Sequence, residues 1–166
     1  MERLTYAFYH RHALEVAPEL VGKLLVYNGK ALRISETEAY CGTADTACHA
    51  HKGRTPRTEA LYADAGTVYV YLCYGVHWLM NIITGDAEDP QGVLIRACLE
   101  AEGPGKLTRA LGITGAQNRA NAVTSDQIWI ADDGFRCSVR TAPRIGIGYA
   151  APEDQAKPWR FLLDQT

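Results

Sequence analysis

The chain has 166 residues, 47% of them hydrophobic and 22% charged, which leaves room for one soluble domain with a single core and not for two. No apolar run approaches the roughly 20 residues needed to span a membrane, and Met-Glu-Arg-Leu-Thr-Tyr at the start lacks the apolar stretch of a signal peptide, so a cytoplasmic place is expected. The formal net charge of −2 is unfavourable for binding nucleic acid, although Lys52, Arg54 and Arg57 lie close together and Lys106 and Arg109 follow a glycine-rich turn.

In chain order, His12 to Leu20 reads as a short helix and Leu24 to Tyr27 as a strand. Asn28-Gly29 is a two-residue hairpin turn, so Ala31 to Tyr40 returns antiparallel to that strand. Thr55-Pro56 has the form of an N-cap followed by proline at the first helical position, and it predicts a helix to about Tyr62. The stretch Thr67 to Ile83, TVYVYLCYGVHWLMNII, is β-branched and aromatic, with a break at Tyr74-Gly75 where a hairpin turns. Val93 to Leu99 is a further strand, and Gly103-Pro104-Gly105 opens a helix through Leu111. Gln127 to Ala131, Arg144 to Ile147 and Arg160 to Leu163 are expected strands. Hairpins predominate and helices do not alternate with strands. The fold class is therefore α+β: a single domain, residues 1–166, with a curved, mainly antiparallel sheet, short flanking helices and a protruding β-hairpin.

Four stretches carry residues suited to chemistry. In Ser35-Glu36-Thr37-Glu38-Ala39-Tyr40, strand alternation puts Glu36, Glu38 and Tyr40 on one face, which is either a general-base site beside an aromatic ring or a solvated strand face. Cys41 and Cys48-His49-Ala50-His51 hold metal-ligand residue types, but their spacing matches no usual zinc pattern, and no metal is expected. The five cysteines (Cys41, Cys48, Cys73, Cys98 and Cys137) are odd in number and read as free thiols. In the hairpin, Tyr69 and Tyr71 share one face, and Tyr74 at the tip would project as the kind of wedge that minor-groove binders push between base steps. Gly103-Pro104-Gly105-Lys106 fits a helix N-terminus that accepts a phosphate, or simple capping.

Taken together, ETEAY (36–40), ACHAHKGRTPR (47–57), GTVYVYLCYGVHWLMNI (66–82), GVLIRA (92–97), GPGKLTRALGI (103–113), PRIGIGYA (143–150) and KPWRF (157–161) resemble the alkyladenine DNA glycosylase family, the 3-methyladenine DNA glycosylases of the mammalian type. The match runs in order along nearly the whole chain. The resemblance implies a monofunctional enzyme of base excision repair, without cofactor and acting as a monomer on double-stranded DNA. It flips an alkylated or deaminated purine and leaves an abasic site. By the same resemblance Glu38 deprotonates the attacking water and Arg96 helps to hold it. Tyr40, His49 and Tyr71 wall the base pocket, Asn81 stands at its edge, and Tyr74 fills the space vacated in the duplex. Arg54, Thr55, Arg57 and Lys106 match positions that contact the DNA backbone. No lysine lies near Glu38 in sequence, so a Schiff-base lyase step is not expected.

The chain departs from the family pattern in three places. Only Cys98 to Glu102 join VLIRA to GPGK, where members carry a further helical segment; the end follows soon after KPWRF; and His77 stands where an aromatic is common. The alternatives are a non-catalytic binder of DNA damage, a metal-dependent hydrolase centred on Cys48, His49 and His51, and nonspecific nucleic-acid binding. Retention of both Glu38 and Arg96 speaks against the first, since recognition alone needs neither.

Overall fold

The computed structural model describes residues 1–164. Two short segments that the sequence did not announce come first, β1 (Glu2–Arg3) and α1 (Tyr6–Tyr9). The first foreseen helix, α2 (Ala13–Leu20), starts at His12, whose ring nitrogen accepts the Leu14 N–H at 3.1 Å. At Asn28 and Gly29 (φ 49° and 81°) both turn residues are left-handed, the geometry that folds β2 (Leu24–Tyr27) tightly onto β3 (Lys30–Tyr40).

The second hairpin forms as the sequence predicts, from β4 (Val68–Cys73) and β5 (His77–Thr84), followed by β6 (Gln91–Cys98). Pro104 begins α3 (Pro104–Leu111), which ends on left-handed Gly112. The chain closes with β7 (Ile128–Asp132), β8 (Ser138–Ala142), α4 (Pro152–Ala156) and β9 (Arg160–Asp164).

The nine strands found among the described residues form one open antiparallel sheet, ordered β1-β7-β2-β3-β6-β5-β4. β3 is its axis: Lys30–Arg33 pair with β2, and Glu36–Glu38 pair with β9, which in turn carries β8. Alternation then sorts the side chains. Ala39, Val68, Val70, Met80, Ile82, Val93 and Ile95 enter a core shared with Val16 and Leu20 of α2 and Leu107 and Leu111 of α3. Tyr69, Tyr71 and Ile83 face the other way, where Cys48, Ala50, Ala60 and Leu61 cover them from the 41–63 region. The helices α2 and α3 thus occupy one face of the sheet and mainly loops the other, and loops are where a site finds room.

Two local expectations are corrected. The helix from Thr55 to Tyr62 is instead a turn followed by a short 3₁₀ segment, Glu59–Tyr62. Thr58 diverts the chain: its Oγ1 accepts the Thr55 N–H at 2.9 Å and donates to the Gly53 carbonyl at 3.2 Å, bonds that compete with a helix. Arg144 to Ile147 is irregular, and the strand in that region is β8 instead. Left-handed Gly146 (φ 73°) cannot sit in a strand, and the Arg144 side chain is drawn into the protein interior.

Candidate active site

Glu38 lies mid-sheet, flanked by Leu94 on β6 and Arg160 on β9. Its side chain is fully buried, which a carboxylate tolerates only with partners. Three donors converge on it. Oε1 accepts the Tyr40 hydroxyl at 2.8 Å and Arg96 Nη1 at 3.4 Å, and Oε2 accepts the Ile145 N–H at 2.8 Å. Burial nevertheless wins, and the Glu38 pKa stands above the usual carboxylate range, with Arg96, the Ile145 N–H, the Tyr40 hydroxyl and Arg144 each pulling it back. Such a carboxylate is a better proton acceptor than one in water.

A bulge places Arg96. Consecutive residues Glu36 and Thr37 pair with Ala97 and Ile95, so Arg96 is the unpaired residue between them and its side chain is free to turn toward Glu38. The expected pairing of two carboxylates with one aromatic is not what forms. Glu36 accepts Arg160 Nη1 at 3.3 Å and lines a neighbouring smaller cavity, leaving Glu38 alone with Tyr40.

Above these groups opens a cavity of about 1020 Å³, lined among others by Tyr40, His49, Tyr71, Arg96, Ile145 and Tyr149. His49 meets the Tyr71 ring edge-on at 4.5 Å between centroids, and Tyr69 backs Tyr71 at 5.3 Å. Tyr40, His49 and Tyr71 therefore give the cavity an aromatic wall. Asn81 does not line it; buried in β5, its amide donates to the Tyr69 carbonyl at 3.2 Å, behind the wall. Three lining residues, Ile145, Ile147 and Tyr149, carried no prediction. Tyr149 donates its hydroxyl to the Ala47 carbonyl at 2.7 Å and has Lys52 Nζ 5.9 Å from its ring. The one available signal was the aromatic in PRIGIGYA.

His49 Nδ1 faces the Tyr69 hydroxyl at 2.9 Å, and His51 Nδ1 faces the Thr43 carbonyl at 2.8 Å, so each histidine has a partner of its own. Burial, with Arg57 and Lys52 adding to it, lowers the His49 pKa to about 4, and the ring is neutral at pH 7. This has a consequence for stability. The unfolded ring titrates near the ordinary histidine value of 6.5, so between there and about 4 the unfolded chain binds the extra proton, and stability present above pH 6.5 is lost as pH falls. His49→Gln should reduce that loss by on the order of 3 kcal/mol, read as the difference between parent and variant in urea melts at pH 7 and pH 4.

At the cavity rim the β4–β5 hairpin turns on Tyr74 (φ 52°) and Gly75 (φ 66°), closed by the Val76 N–H on the Cys73 carbonyl at 3.1 Å. Tyr74 is 93% exposed, as a wedge requires. His77 of β5 lies against α3, where a Cβ at Gly105 would come within 2.9 Å of its ring; glycine there lets the helix start beside the hairpin. Thr55, Arg57 and Lys106 also line the cavity, and Arg57 donates to the Leu72 carbonyl at 3.0 Å. Arg54 is placed differently: it is bonded to both oxygens of Glu59, at 2.9 and 2.7 Å, and to Glu88, and it stacks on Tyr62.

The model of the methylpurine-DNA glycosylase family matches residues 7–102 and 99–166, two stretches that meet at Leu99–Glu102. The chain belongs to the methylpurine-DNA glycosylase family. It is 43% identical to a protein of Anaeromyxobacter dehalogenans over 97% of this chain and 83% of the relative, and 41% identical to one of Clostridium perfringens over 97% and 95%. A protein of Methanocella arvoryzae is 42% identical over 93% and 88%. All three are provisionally named 3-methyladenine DNA glycosylase. The junction of the two matched stretches coincides with the shortening noted in the sequence. There the chain closes on itself, with Cys98 and Ala101 exchanging N–H···O=C bonds of 3.1 Å in both directions. Among the described residues no helix is long and apolar enough to cross a membrane.

Proposed function

We propose that this family member is a monofunctional DNA glycosylase that flips alkylated purines, 3-methyladenine foremost, into the cavity and hydrolyses the N-glycosidic bond with water activated by Glu38. One observation carries the reading: a fully buried carboxylate of raised pKa, held by three donors, beneath an aromatic-walled cavity beside an exposed tyrosine wedge. The water oxygen bonds to C1′ while the C1′–N9 bond breaks and its electron pair leaves with the purine. The water's proton passes to Glu38, and an abasic sugar remains. The sugar acquires oxocarbenium character on the way, which a nearby carboxylate also stabilises. Of the three contacts to Glu38, the 3.4 Å one from Arg96 is the weakest, and a water entering between these two side chains disturbs it least.

Selection for a cation follows from the walls. A 3-methylated adenine carries positive charge and leaves without acid help, and electron-rich rings attract it. A neutral His49 avoids setting a second cation beside it. Damaged purines also unstack more readily, so selection begins before chemistry.

With a net charge of −2, binding must come from a local basic rim. Lys52, Arg57 and Lys106 are exposed at the cavity mouth, and replacing any one by Ala should reduce the log K against log[salt] slope by about one. Arg54→Ala should leave the slope near the parent's, because Glu59 and Glu88 already neutralise that charge. The proposed reaction is tested on a labelled methylated duplex. It predicts free 3-methyladenine, an intact strand with an alkali-labile site, and no covalent adduct trapped by borohydride. A trapped adduct would mean that an amine of the protein, and not water, attacks the sugar.

A further inference from the structure

Arg144 has no place in the reaction as described, yet both terminal nitrogens of its buried guanidinium are bonded. Its side chain and that of Asp45 are 0% and 1% exposed. The guanidinium grips Asp45 through both nitrogens, at 2.7 and 3.0 Å. Nη1 also donates to the Ala39 carbonyl at 3.0 Å and Nη2 to the Asp154 carbonyl at 3.3 Å. Its carbon lies 4.9 Å from the ring centroids of both Tyr40 and Trp159. Asp45 in turn accepts the N–H groups of Cys41 at 2.9 Å and Ala47 at 3.1 Å.

One buried cation thereby ties four parts of the chain to each other: β3 at Ala39, the 41–47 loop that leads to His49, the 143–151 loop, and α4. Burying two charges costs several kcal/mol per ion, and apolar packing often stabilises as well, so a buried pair is poor evidence for a purely stabilising role. What this pair supplies in addition is orientation. Ala39 and Tyr40 follow Glu38 directly, and Ile145, whose N–H meets Glu38 Oε2, follows Arg144 directly.

We infer that Arg144 is a positioning residue for Glu38: from one buried guanidinium it fixes the Ala39 backbone, the Tyr40 ring and the Ile145 N–H, and so holds two of the carboxylate's three donors in register. The inference rests on the reading of Glu38 as the base. Arg144 does not line the cavity, so its effect on the reaction runs through the Tyr40 ring and the Ile145 N–H that hold Glu38.

The test uses Arg144→Lys, which keeps the charge and removes the fork. Asp45→Asn, of nearly unchanged shape, serves as a second variant, each assayed at a temperature where its melt shows a folded protein. Single-turnover base release should fall by about 100-fold, as a small misplacement of a reacting group does. Affinity for the lesion duplex should change little. The acid limb of the pH–rate profile should move to higher pH, because weakened Tyr40 and Ile145 contacts no longer pull the Glu38 pKa down. A rate that falls only in proportion to the folded fraction, with the acid limb unmoved, overturns the inference. Glu38→Gln is assayed in parallel. If it still releases base, the reading of Glu38 itself fails, whatever Arg144→Lys does. If it is inactive while Arg144→Lys works at the parent's rate, only the positioning role fails.

Discussion

Replacing Glu38 by Gln should lower single-turnover base release by at least about 10³-fold while leaving affinity for a lesion-containing duplex close to the parent's. Gln has the same shape and its amide oxygen can still accept the Ile145 N–H, so the loops around the site keep their anchor. What disappears is the proton acceptor and the negative charge that faces the forming oxocarbenium ion. The carboxylate is buried and touches only Tyr40, Arg96 and Ile145 through hydrogen bonds, so nothing about duplex binding at the surface depends on its charge. In the parent, release should rise with pH through the Glu38 pKa, and because burial raises that pKa the acid limb should stand above the usual carboxylate range. Rapid-quench release assays across pH, with gel-shift affinities alongside, separate the two effects.

Tyr74→Ala should weaken binding to a lesion duplex by about 10- to 100-fold, the range expected when one aromatic–base stacking contact is lost. At 93% exposure the ring supports nothing in the folded protein, so melting should not reveal the change. The tyrosine at φ 52° is held in a region that L-residues other than glycine disfavour, at about 1–2 kcal/mol, a cost that alanine shares and the substitution does not remove. A strained, exposed aromatic at a hairpin tip is a poor choice for the fold alone. The ratio of lesion to undamaged affinity, taken by titration of matched duplexes, should narrow in the variant, since the ring is needed only where a base has left the stack.

The parts of this architecture that were legible in the sequence are those governed by short-range rules. Asn28-Gly29 set the register of β2 against β3, and period-two alternation then put Glu38 and Tyr40 on one face. The same rules placed Tyr74 and Gly75 at a turn and began α3 at Pro104. Alternation failed for Glu36, because the bulge at Arg96 and the partner on β9 are both tertiary facts. The helix expected from Thr55 lost to side-chain bonds of Thr58 that a cap-and-proline signal does not weigh. The Arg144–Asp45 pair, 99 positions apart in the chain, left no local signal, and a backbone donor such as the Ile145 N–H leaves none in any sequence. The methylpurine-DNA glycosylase family is shown independently, by a family match that covers nearly the whole chain and by relatives about 40% identical.

The most direct test is the release of free bases from methylated duplex DNA, parent against Glu38→Gln, with a chelator present throughout. The account predicts that the parent releases 3-methyladenine, that abasic sites form in equal number, and that the variant releases essentially none although it still binds. Equal release by both proteins would contradict Glu38 as the base, and no release by a folded parent that binds the lesion would make this chain a damage binder and not a glycosylase.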